Sequence, residues 1–274
     1  MNETNPNSEP TPQQAAAKLA GSLGAVPPQI PPNSPPSSYP PRVPLGEIPE
    51  EREPIPGIAG AIESILRQPR RVMFQLRQPG AGKLIAAMLF LAVACSLIYG
   101  VIVGSFSGGD QWWAAPVKIS VGLLISALIC LPSLYIFACL SGSQARLVEI
   151  FGMVAGLLML MTLLLIGFAP VAWLFSQSTE SLAWMGFLHL LFWFIATAFG
   201  VRFLSAAFRH SNARSSAGLV TWIIIFMLVM LQMSTALRPI VGKADTLLPT
   251  EKKFFLSHWF DSMDKAAKKD RSND

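Results

Sequence analysis

Residues 84–106 read LIAAMLFLAVACSLIYGVIVGSF, 23 consecutive residues without a charge. A helix needs about 20 residues to cross roughly 30 Å of hydrocarbon. Four more apolar runs follow, at 116–140, 150–176, 182–204 and 218–237, so that all five have 20 to 27 residues. The five contain no acidic residue, and their only bases are Lys118 and Arg202, each close enough to a run end to snorkel. The pattern predicts an all-α fold, a polytopic bundle of five transmembrane helices, in an integral membrane protein.

The rest of the chain is arranged around that bundle. Residues 1–56 hold 15 of the 22 prolines and a net charge of −3, from three bases and six acids. Such a segment buries too little apolar surface to offset its ordering entropy, which predicts a disordered Pro-rich tail. Its PxxP spacings, Pro28–Pro31, Pro32–Pro35 and Pro41–Pro44, suit a protein partner that reads extended proline segments; at this proline density they also arise by chance in a spacer.

Residues 57–83 change character, with five bases and one acid. Ile58, Ile62, Ile65 and Leu66 fall at helical spacing, followed after Pro69 by Val72, Met73 and Leu76. Arg67, Arg70, Arg71 and Arg77 lie among them. These residues predict one or two short amphipathic helices on the lipid surface, apolar side in the bilayer and arginines on phosphates. A helix docked on the bundle itself is the alternative. Pro79-Gly80-Ala81-Gly82-Lys83 is not a nucleotide loop, because Arg77 stands where a glycine is required and Leu84 follows the lysine.

Within the runs, Gly100 and Gly104, Gly152 and Gly156, and Ala196 and Gly200 place small residues four apart. Such pairs let helix backbones approach closely where lipid supplies no hydrophobic push. They predict packing inside one bundle, with an oligomer as the alternative. Pro132 and Pro170 should kink their helices, and Ser133 or a neighbour should serve the freed carbonyls. Trp112 and Trp113 read as interfacial anchors. Cys95, Cys130 and Cys139 all fall inside apolar runs and read as small buried thiols.

Topology follows the bases. The side of the N-terminus receives Arg67, Arg70, Arg71, Arg77, Lys83, Arg146, Arg202, Arg209 and Arg214, and the other side only Lys118. This places the N-terminus in the cytoplasm and, with five spans, the C-terminus outside. Eight bases and six acids in 238–274 pull the other way. An even number of spans results if one run, foremost the long third with Pro170, is re-entrant or splits. Beyond the last run, Thr250 can cap a helix whose apolar face is Phe255, Leu256, Trp259, Phe260 and Met263.

No constellation for catalysis, metal or cofactor emerges. The intramembrane polar residues are His189, Gln232, Tyr99 and Tyr135, without a carboxylate pair for proton relay and without an HExxH or GxSxG motif. The basic residues flank helices and form no continuous stripe, which excludes a nucleic-acid reader. Two functions remain: a membrane scaffold that recruits partners through its tail, alone or as an accessory subunit of a complex, and a small-solute channel or transporter built around His189, Tyr135 and Gln232.

The second-run stretch Cys130-Leu131-Pro132-Ser133-Leu134-Tyr135 and the segment Ala236-Leu237-Arg238-Pro239-Ile240-Val241-Gly242 complete an arrangement of Pro-rich tail, five close spans and short exit tail. This arrangement resembles the YIP (Ypt-interacting protein) family, including its bacterial relatives. The resemblance covers roughly residues 84–242, implies a five-span bundle in a bacterial cytoplasmic membrane, and brings no residue role with it.

Overall fold

The computed structural model describes residues 44–107, 111–178, 182–211 and 217–236. The chain there is all-helical. Three short helices, α1 (Pro49–Arg52), α2 (Gly57–Arg67) and α3 (Pro69–Gln75), form a strap ahead of five long ones: α4 (Gly82–Ser107), α5 (Gln111–Leu140), α6 (Leu147–Ser178), α7 (Leu182–His210) and α8 (Ala217–Ala236). Four are long and apolar enough to cross a membrane, over Gly82–Ser105, Trp112–Leu140, Leu147–Ser178 and Trp184–His210. The fifth apolar run forms α8, whose fully described apolar part, Ala217–Met233, is shorter than these.

Local chemistry sets the helix ends. Proline disfavours the helical region in the residue before it. Gln68 accordingly leaves the helix at φ −130° and ψ 59°, and Pro69 opens α3 where its missing N–H costs nothing. At the end of α5, Gly142 takes a φ of +74° that a side chain would resist. Its N–H bonds the Cys139 carbonyl while the Ser143 N–H bonds that of Ala138, both at 3.0 Å, which satisfies two of the helix's orphan acceptors.

The axis of the bundle is α6. It packs mainly between α4 and α7, and α4 and α8 each lie along α5. Within the apolar window of α6, 72% is buried against 33% for α5, so α6 is the helix most enclosed by protein. The third run does not split at Pro170; its helix is continuous from Leu147 to Ser178.

Close approach occurs at the small residues. A Cβ at Gly100 would fall onto the backbone of Pro116 in α5. One at Gly200 would stand 3.1 Å from the Leu157 carbonyl oxygen of α6, and one at Gly156 would meet the Phe203 ring of α7. Gly152 faces Leu76 of the strap, Ala196 is fully enclosed, and Gly104 is buried. Beside Pro132 of α5, Ser133 Oγ donates to the Cys130 carbonyl at 2.8 Å. The Trp222 indole N–H, from α8, donates to the same oxygen at 2.7 Å. That second donor ties the fifth helix to the proline turn.

Several expectations are corrected here. Residues 44–56 are not the end of a structureless tail. They carry α1, which packs against α3, and Glu51 is 3% exposed. Lys118, close to a run end, is buried against the protein in α5. Cys139 is exposed, unlike the buried Cys95 and Cys130. The tail through residue 43 and the expected helix at 250–263 lie outside the described residues.

Candidate functional site

Two polar assemblies interrupt the apolar packing, one in the strap and one inside the bundle. The strap is built on Glu51. Pro49 and the two acids that follow suit a helix start, where carboxylates face unpaired N–H groups. One carboxylate oxygen of Glu51 accepts from Arg70 Nε, and the other accepts from the Gly46 N–H at 2.5 Å. Arg52 Nε donates to the Gly46 carbonyl at 2.6 Å, and Arg70 Nη2 to that of Pro44 at 3.2 Å. Arg71 donates to the carbonyls of Glu53 and Pro54, both at 3.1 Å. Burial alone would raise the Glu51 carboxyl. The Arg70 and Gly46 hydrogen bonds, with the charges of Arg70 and His210, outweigh it and hold the group below its ordinary 4.5.

The strap also grips the bundle. Ala61 and Ile65 of α2 are buried, with α2 packed on α4 and α6, while Ile58 and Leu66 stay exposed. Arg77 Nη2 donates to the His210 carbonyl at 2.6 Å and so occupies an orphan acceptor at the end of α7. Of the four arginines assigned to the lipid surface by sequence, Arg70, Arg71 and Arg77 therefore spend their guanidinium groups on protein acceptors. Arg67 is exposed, in an i,i+4 pair with Glu63 at 3.3 Å.

The intramembrane assembly joins residues that sequence picked out singly. Tyr99 of α4 and His189 of α7 meet by hydroxyl to Nδ1 at 2.7 Å, with their rings edge to face at 5.7 Å. One turn back on α4, Ser96 and Ser120 of α5 share a hydrogen bond of 2.7 Å. Tyr135 and Gln232, grouped with His189 in the transport reading, are exposed on α5 and α8. No group of three or more metal-ligating side chains occurs among the described residues.

Exposed tryptophans mark one end of the bundle. Trp112 and Trp113 at the start of α5, Trp173 near the end of α6 and Trp184 at the start of α7 are all more than half exposed. These helix ends lie opposite the strap, which touches the starts of α4 and α6 and the end of α7. Trp173 and Trp184 were missed in the sequence, although each stands close to a run end. The four have the arrangement of an interfacial aromatic belt.

Fold and polar contacts together describe an all-helical protein of integral-membrane character. Compared with family models, curated proteins and solved structures, the chain matches none of them.

Proposed function

We propose that this chain is a non-enzymatic, five-span membrane scaffold that recruits protein partners through its Pro-rich N-terminal tail, on the cytoplasmic face of a bacterial-type inner membrane. The observation that carries the reading is the anchorage of residues 44–46. Pro44 and Gly46 are held by Arg70, Arg52 and Glu51, and the strap that contains those residues is seated on α4, α6 and α7. A tail that recruits partners needs a rigid fixing point, and here its first described residues have one. The likeness to YIP proteins favours the same design, with lipid and one tail-binding protein as the partners.

Deleting residues 1–43 should leave insertion and thermal stability unchanged and remove at least one partner from crosslinking pull-downs. An identical partner set would refute the recruiting tail. Deleting 1–56 should in addition destabilise the protein, because it takes Glu51 with it.

Five spans and a cytoplasmic N-terminus are supported by the nine-to-one distribution of bases, the aromatic belt at the opposite end and the 20 residues of α8. Single cysteines at Ser143, Ser178 and Ser272, in a chain with its three natural cysteines changed to alanine, test this in spheroplasts. Ser178 and Ser272 should label from outside, and Ser143 should not. Protection of Ser272 would leave an even number of spans.

A further inference from the structure

The Tyr99–His189 pair leaves one atom unaccounted for. His189 is 9% exposed, and its Nε2 has no hydrogen-bond partner. Leaving a buried polar group unpaired costs about 1–3 kcal/mol, and folded proteins rarely tolerate it. The flank of α7 one turn before it is open. Gly186 precedes His189 by three residues, so both lie on one side of α7, and a Cβ at Gly186 would meet nothing within 4 Å.

We propose that Tyr99 and His189 form a receptor for one neutral, hydroxyl-bearing guest, whose oxygen pairs with His189 Nε2 in the open space beside Gly186. The chemistry of the pair selects the guest. If the Tyr99 hydroxyl donates to Nδ1, Nε2 carries the proton and needs an acceptor. If Nδ1 donates to Tyr99, Nε2 offers a lone pair and needs a donor. A hydroxyl serves both tautomers, whereas a carbonyl serves only the first. The guest is neutral because a charged one would need a counter-charge at the pair. The one carboxylate in the five long helices, Glu149, lies in the first turn of α6, near the strap and away from His189, and Lys118, the base buried in α5, is already engaged.

Two sources carry this hydroxyl: water, and a neutral lipid such as diacylglycerol. The inference goes beyond the scaffold reading and does not depend on it. Full-length protein with 15N-labelled histidine would be placed in phosphatidylcholine vesicles, with and without dioleoylglycerol, for solid-state NMR. The chain has three histidines, and His189→Gln identifies the signal of interest by its loss. The expected result is a hydrogen-bonded Nε2. Magnetisation transfer from water in both preparations identifies water as the guest, and transfer from the glycerol hydroxyl only when dioleoylglycerol is present identifies the lipid. A neutral, unpaired Nε2 with no transfer from either source overturns the proposal. Gly186→Leu, which fills the open space while leaving the Tyr99–His189 bond in place, should abolish the transfer. Transfer that survives it overturns the placement of the guest.

Discussion

Arg70→Ala should lower the stability of the strap by roughly 3 kcal/mol, the low end for removing one partner of a buried ion pair. The reason is the asymmetry of the pair. The Glu51 side chain is 4% exposed and that of Arg70 is 34%. Removing the arginine strands a carboxylate away from water, with the Gly46 N–H as its remaining direct hydrogen bond. Removing the acid by Glu51→Ala leaves a guanidinium that reaches solvent and keeps the Pro44 carbonyl, so that variant should lose less. Thermal unfolding in detergent, with trypsin cleavage within residues 44–78 as the local readout, ranks the two. Equal losses would show that burial of the carboxylate does not control the strap.

The pair also sets a direction with pH. The folded carboxyl lies below 4.5, so its contribution is complete above the unfolded value and disappears as pH falls through the folded one. Wild-type strap cleavage should therefore rise only in acid below about 4.5. In Arg70→Ala the burial that raises the carboxyl is opposed by less, so the folded and unfolded values draw together and the acid-driven release should shrink. An acid-active protease such as pepsin reports this in place of trypsin.

Gly100→Ala should be the costliest glycine-to-alanine change in the long helices, about 1–3 kcal/mol, the usual range for overfilling a packed contact. The added methyl would coincide with the Pro116 backbone, and neither helix axis can rotate away as a side chain can. The α4–α5 contact would open, and with it the Ser96–Ser120 hydrogen bond one turn away. Gly152→Ala is the control. Its methyl would meet the end of the Leu76 side chain, which has rotamers available. Melting temperatures of the two variants in the same detergent decide the matter; a Gly152→Ala loss as large as that of Gly100→Ala would mean that the contacts are equally rigid.

What could be read from the sequence was what repeats along it. Apolar runs fix helices, Pro69 fixes the break between α2 and α3, and small residues four apart mark where helices touch. Pairings between distant residues leave no such trace. Glu51 is one acid among six in a proline-rich stretch whose composition argues for disorder, and its burial depends on Arg70, 19 residues later. The signal that was available was local: Pro49 opening a turn with two acids behind it. The arginines were assigned to lipid because a basic amphipathic segment next to a membrane looks the same whether its partners are phosphates or carbonyls. Tyr99 and His189 were both singled out, but 90 residues and two intervening helices separate them. Only the packing of α4 and α7 on α6 brings them together.

The seating of Leu76 against Gly152 has a consequence for how the protein is made. The two residues are 76 positions apart. At about 5–20 residues per second, roughly 4–15 seconds of synthesis separate them. During that interval the strap has emerged and its resting place on α6 has not. Arg70 and Arg71 already have their acceptors in residues 44–54, but Arg77 lacks the His210 carbonyl and Leu76 lacks Gly152, and these two then have lipid headgroups and chaperones for company. The membrane surface that the sequence suggests for this segment would thus be its waiting room, and the bundle its destination.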